Sequence, residues 1–136
     1  MLTTENISEW FQNYTDKFKT DGELPPMLLL KKKHSIRVCQ ISSAIAQSME
    51  WNEPEDEVTA QSVGLLHDVG RFPQYRDYQT FQDSASIDHG DLSAQILADE
   101  FTWDASANFK NTVLTAVKYH NKKDLPTNMT LHTYNW

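Results

Sequence analysis

Ile7, Trp10, Phe11, Tyr14 and Phe18 recur three and four apart, and they follow Asn6, which with Glu9 has the spacing of a capping box. The pattern predicts an amphipathic N-terminal helix over residues 5–20, stopped at Asp21-Gly22. Pro25-Pro26 suits the entry to a second helix, whose inward stripe reads as Met27, Leu30, His34, Val38, Ile41 and Ile45. A histidine thus stands in the middle of an apolar face. A third helix is expected from Asn52, with Pro54 in its first turn and Glu55 completing a second capping-box spacing. Glu53, Asp56 and Glu57 put negative charge where the helix dipole favours it. Val58, Val63, Leu65 and Leu66 form its apolar side, and Gly70, just after His67-Asp68, is a natural stop.

Between Arg71 and Asp88 no clean period is visible, although Phe72, Tyr75, Tyr78 and Phe81 fall there. The stretch reads as a long aromatic loop, a candidate lid. A fourth helix is expected near Asp88-His89, burying Leu92, Ile96 and Leu97. A fifth, from about Ser106, buries Phe109, Val113 and Val117 and ends at His120 on the same face. Residues 122–136 read as an irregular tail, with Met129, Leu131, Tyr134 and Trp136 lacking a period. No segment has the alternation of a strand, so an all-α fold of about five main helices is predicted, in one domain over residues 1–136.

The length of 136 residues suits one hydrophobic core, and 39% hydrophobic residues with only 4 Gly and 5 Pro exclude a disordered tail. Twelve Lys and Arg against 19 Asp and Glu give a net charge of −7, which excludes an extended nucleic-acid surface. The single cysteine, Cys39, makes no internal disulfide, and the N-terminus lacks the layout of a secretory signal. The longest aliphatic run, Met27 to Leu30, is far short of the roughly 18 residues of a membrane span. A cytoplasmic protein that does not enter a membrane is the expectation.

His34, His89 and His120 fall on or beside the apolar faces of three helices, and His67 is followed at once by Asp68. Singly, each is an ordinary half-buried histidine. Together they need polar partners, since an unpaired buried polar group costs roughly 1–3 kcal/mol, and one shared ligand, a metal ion, satisfies them all. Imidazole nitrogens with a carboxylate suit Mn, Fe, Co, Ni or Zn, and the chain has no thiolate pair for a structural zinc site.

The order His34, then Gly64-Leu65-Leu66-His67-Asp68-Val69-Gly70-Arg71-Phe72, then Asp88-His89-Gly90, then Tyr119-His120-Asn121 resembles the HD-domain superfamily of metal-dependent phosphohydrolases. The resemblance spans roughly residues 28–121. It implies a helical fold in which His34, His67, Asp68 and a later aspartate hold a first divalent metal. In family members with two metals, the aspartate matching Asp68 bridges to the second, which histidines matching His89 and His120 complete. One or two ions, Mg included, would then serve hydrolysis of a small phosphorylated substrate or nucleotide, the metal acidifying water and polarising a phosphoryl oxygen. Asp68 is the residue expected to help take the water's proton, and Arg71 and Gln74 are the substrate-binding candidates; Arg71 reads equally well as a charge at a helix C-terminus.

The sequence departs from the family in its last ligand. The expected final aspartate follows the last histidine at the start of another helix, and the only acid after His120 is Asp124, in a turn. The chain therefore reads as an HD domain truncated before its C-terminal helix or helices. Such a loss leaves apolar surface exposed, which invites a homodimer or draws the tail from Thr127 to Trp136 back over the gap. The missing carboxylate favours an alternative, a noncatalytic metal- or nucleotide-binding module. A di-iron oxygenase uses a comparable ligand set. Arg71-Phe72 after the doublet sets aside the guanosine-tetraphosphate hydrolases, and the lack of Gly-Tyr-Pro sets aside the cyclic-dinucleotide phosphodiesterases.

Overall fold

The structure, a computed structural model, describes residues 2–49 and 54–122. Among these it is all-α, with six α-helices: α1 (Thr4–Asp16), α2 (Pro26–Ser48), α3 (Pro54–Leu66), α4 (Arg71–Tyr78), α5 (His89–Glu100) and α6 (Ala107–Tyr119). A single 3-10 turn, Asp83–Ala85, lies between α4 and α5. No described helix is long and apolar enough to cross a membrane. The expected start of the third helix at Asn52, Asp124 and the tail from Thr127 to Trp136 lie outside the described residues.

The N-terminal helix starts earlier than its apolar period suggests. Thr3, not Asn6, is the N-cap: its hydroxyl accepts from the Asn6 N–H, and the Asn6 side chain accepts from the Thr3 N–H, both at 3.2 Å. The choice between two overlapping capping boxes is tertiary, since Leu2 is buried and its N–H donates to the Asp104 carbonyl. The helix also ends at Asp16, short of the expected residue 20. A tight turn then follows, with Asp21 and Gly22 both at positive φ, a conformation that glycine adopts freely.

In α2 the expected inward stripe is on the wrong face. Met27, Leu30, Ile41 and Ile45 are 41–61% exposed, whereas Leu28, Ser35, Ser42 and Ala46 are buried. The cause lies in α3. A Cβ on Gly64 would fall 2.9 Å from the Cys39 Cα and 3.0 Å from the Val38 carbonyl, so the two helices touch through small residues at a separation that large aliphatics would forbid. Ser35, Ser42 and Ala46 therefore face inward beside Leu28, and Met27, Leu30, Ile41 and Ile45 of the expected stripe face out.

The third helix was expected to run to Gly70, but it stops at Leu66, and residues 67–70 form a turn into α4. Gly70 has φ −68°, an ordinary helical value, so it does not cap by left-handed geometry. It is needed for closeness: a Cβ there would fall 2.7 Å from Ser93 Oγ and 2.8 Å from the His89 carbonyl of α5. The Gly70 N–H donates to that same Ser93 hydroxyl.

The expected aromatic lid is also corrected, since Arg71–Tyr78 is helical and Phe72 is fully buried in the core. Phe72 packs edge-on to Phe11 and Tyr14 of α1, and Leu66, Val69, Leu97, Val113 and Val117 complete the centre. The Tyr14 hydroxyl donates to the Val69 carbonyl at 2.7 Å, pinning the turn after Asp68 from below. Burial, with Glu100 adding to it, pushes the Tyr14 phenol well above its usual value. The last two helices start as expected, with side chains of Asp88 and Ser106 as their N-caps. Leu92 is only half-buried, while Ile96, Leu97, Phe109, Val113 and Val117 are inside.

Candidate metal centre

Four elements bring their histidines to one carboxylate. His34 comes from the middle of α2, His67 and Asp68 from the turn after α3, His89 from the first turn of α5, and His120 caps the end of α6. Asp68 is buried and its two oxygens face different pairs. Oδ2 lies 3.3 Å from His67 Nε2 and 3.6 Å from His34 Nε2. Oδ1 lies 3.3 Å from both His89 Nε2 and His120 Nε2. Among the described residues, two groups that could hold an ion result, His34–His67–Asp68 and Asp68–His89–His120.

The chemistry of this donor set fits a cation. His67 Nδ1 is 2.8 Å from the Gly64 carbonyl, His120 Nδ1 is 2.6 Å from the Val117 carbonyl, and His89 Nδ1 is 2.8 Å from Asp83 Oδ2. Each Nδ1 meets an acceptor and so carries the proton, which in a neutral ring leaves a lone pair on Nε2. Three lone pairs then face the Asp68 carboxylate, acceptors against an acceptor. Protonating every ring is no remedy, since the His89 and His120 Nε2 atoms are 3.0 Å apart and two N–H groups would collide there. A divalent ion satisfies all of them at once. Ligands at about 2.0–2.1 Å from an ion, with tetrahedral or octahedral angles, lie about 2.9–3.4 Å from one another, which is the spacing around Asp68 Oδ1.

The charges agree. Partial burial, then the neighbouring His67, hold the His34 imidazole below its usual value against the pull of Asp68, which keeps it neutral and able to ligate.

A model of the HD domain family matches residues 32–133. The chain belongs to the HD-domain family. No curated protein and no solved structure gives a significant match. The HD-domain match covers every residue of the cluster, and the family is one of metal-dependent hydrolases, so the His and Asp cluster is where this HD domain would hold its metal.

The two expected substrate residues are placed differently. Arg71 is largely buried, and its Nη1 pairs with Asp83 at 3.1 Å and donates to Gln74 and the Phe81 carbonyl. Gln74 is fully buried, its amide nitrogen donating to Asp83, Ser86 and the Ile87 carbonyl. Both side chains brace the segment between α4 and α5; Gln74 is fully buried there, while Arg71 keeps 16% of its side chain exposed and its Nε meets no partner among the described residues.

Asp83 is the residue that sequence reasoning missed. It accepts from the ring and backbone N–H of His89, from Arg71 and Gln74, and from the Asn121 amide at 3.1 Å. Its position in an aperiodic stretch gave no signal. The one clue was an acid six residues before a candidate ligand.

Proposed function

We propose that this HD domain is a metal-dependent phosphohydrolase acting on a small phosphate ester or nucleotide. The observation that supports it is the shared carboxylate, with one Asp68 oxygen turned to His34 and His67 and the other to His89 and His120. Divalent ions held there supply acidified water and polarisation of a phosphoryl oxygen. The chain's own residues do the rest. His67, His120 and His89 would offer Nε2 atoms whose ring orientation is fixed by Gly64, Val117 and Asp83 in turn. Asp68, buried between the two pairs of histidines, would hold divalent ions through its two oxygens. His34, with 47% of its side chain exposed, marks the open side by which a substrate enters.

The test is metal content together with turnover. Protein prepared without chelator and soaked in Mn is expected to hold one or two ions per chain and to hydrolyse members of a panel of phosphomonoesters and nucleotides. His67→Ala should lose both. Retained metal without turnover of any phosphate ester would favour the noncatalytic binding module, and iron with oxygen consumption would favour an oxygenase.

A further inference from the structure

The two groups that share Asp68 are not built alike. In Asp68–His89–His120 all three donor atoms lie 3.0–3.3 Å from one another, and both rings are held from behind through Nδ1. The His89 side chain is only 7% exposed. In the other group His67 is held in the same way, but His34 has no hydrogen-bond partner on Nδ1 among the described residues. Its Nε2 stands 3.6 Å from Asp68, on a side chain 47% exposed. Ordering that side chain costs rotamer entropy that the buried pair has already lost in folding.

What holds His89 is unusually complete for a loop carboxylate. Asp83 sits on the 3-10 turn and is fixed from α4 by Arg71 Nη1 and Gln74 Nε2, and from the end of α6 by Asn121 Nδ2. It returns two contacts to His89, one to the backbone N–H and one to the ring. The fully buried Gln74 makes this a rigid anchor. A carboxylate behind a ligating imidazole fixes its tautomer and raises its basicity toward the ion, and losing it commonly costs 10–100-fold in affinity.

Building on the metal-dependent reading above, we infer that Asp83 is a positioning residue for a pre-organised ion site at Asp68, His89 and His120, and that this site takes the first divalent ion, ahead of the one at His34 and His67. Arg71 belongs to the same anchor.

The experiment is a Mn²⁺ titration of the full chain, followed by calorimetry and by the signal of free Mn²⁺, with circular dichroism on every variant. His34→Ala should keep the tighter binding step within about threefold, whereas His89→Gln should lose it. Asp83→Asn, which preserves shape and removes charge, should weaken that step by about 10–100-fold. Nitrogen-detected NMR of the metal-free protein gives a readout that a merely structural role would not move: His89 should carry its proton on Nδ1 in the unaltered chain and a mixture of tautomers in Asp83→Ala. If an Asp83 variant fails to fold, the comparison of His34→Ala with His89→Gln still decides the order. Loss of the tight step in His34→Ala with its retention in His89→Gln overturns this inference alone. Failure of the unaltered chain to bind Mn²⁺ overturns it together with the reading of the site.

Discussion

Gly70→Ala sets two opposing effects against each other at the turn that carries Asp68. Gly70 has helical φ, so alanine is compatible with the backbone and, by restricting the unfolded chain, would stabilise by about 0.4–1 kcal/mol. The added methyl, however, would meet Ser93 Oγ at 2.7 Å and the His89 carbonyl and Ser93 nitrogen at 2.8 Å. Two of these atoms are backbone, and the third is held by hydrogen bonds to Gly70 and His89, so rotation gives no relief. Ordinary contact begins at 3.4 Å, so the turn and α5 must separate by about 0.6–0.7 Å, an overpacking that costs about 1–3 kcal/mol. The clash wins. Net destabilisation of about 1–2 kcal/mol should lower Tm by several degrees, at about 3–5 °C per kcal/mol for a chain of this size. The same separation moves Asp68 from His89, and an ion site tolerates only about 0.2 Å, so Mn²⁺ affinity should drop about tenfold or more. Urea unfolding and Mn²⁺ titration measure the two effects. A Gly70→Ala protein as stable as the parent, with unchanged affinity, would refute the close contact and the coupling built on it.

Three further outcomes are expected. Leu28→Ala should cost about 2–5 kcal/mol and Leu30→Ala within about 0.5 kcal/mol in urea unfolding; the reverse order would mean that α2 faces the other way. Tyr14→Phe leaves the Val69 carbonyl with only a 3.4 Å contact from the Phe72 N–H, which should cost about 1–3 kcal/mol. In the parent, whose folded-state phenol value is raised, stability is full below pH 10 and falls above it, so Tyr14 phenolate absorbance should appear only with unfolding. At Asp88, burial raises the carboxyl, but the Asp91 N–H, Lys122 and Asn121 outweigh it and bring the group down to about 2. Its stabilisation is therefore present above about pH 4 and lost as pH falls through 2. With 38% of its side chain exposed the group is screened, so Asp88→Asn should cost only about 0.5–1 kcal/mol at pH 7. In metal-free protein the gap to the parent should close between pH 4 and 2, and a gap that persists at pH 2 would contradict the assignment.

The clustered histidines and Asp68 were legible because their spacing relative to helix ends was legible. His67-Asp68 stood at a helix end, His89 at a helix start and His120 at the end of an apolar stripe, and each is at the place the pattern gave it. The facing of α2 was not legible, because a stripe of large aliphatics is read as a core face only while its partner is also large. Here Gly64 and Ser42 bring two backbones together, and Leu30 and Ile41 are left outside. The helix α4 was hidden by its eight-residue length and by Pro73, which its first turn tolerates. Asp83 was hidden for a different reason: its role is made by Arg71, Gln74, His89 and Asn121 arriving from three helices, and no local pattern encodes such a convergence. Arg71 and Gln74 were found by their nearness to the doublet, and the structure turns both toward Asp83.

The most direct test of the shared-carboxylate account is an anomalous difference map from crystals of the full chain soaked in Mn²⁺. The account predicts a peak bound to Asp68 Oδ1 between His89 and His120, and at higher Mn²⁺ a second at Oδ2 beside His34 and His67, each about 2.0–2.4 Å from its ligand atoms. Maps with no peak at either Asp68 oxygen, at Mn²⁺ concentrations that occupy other sites, would contradict it.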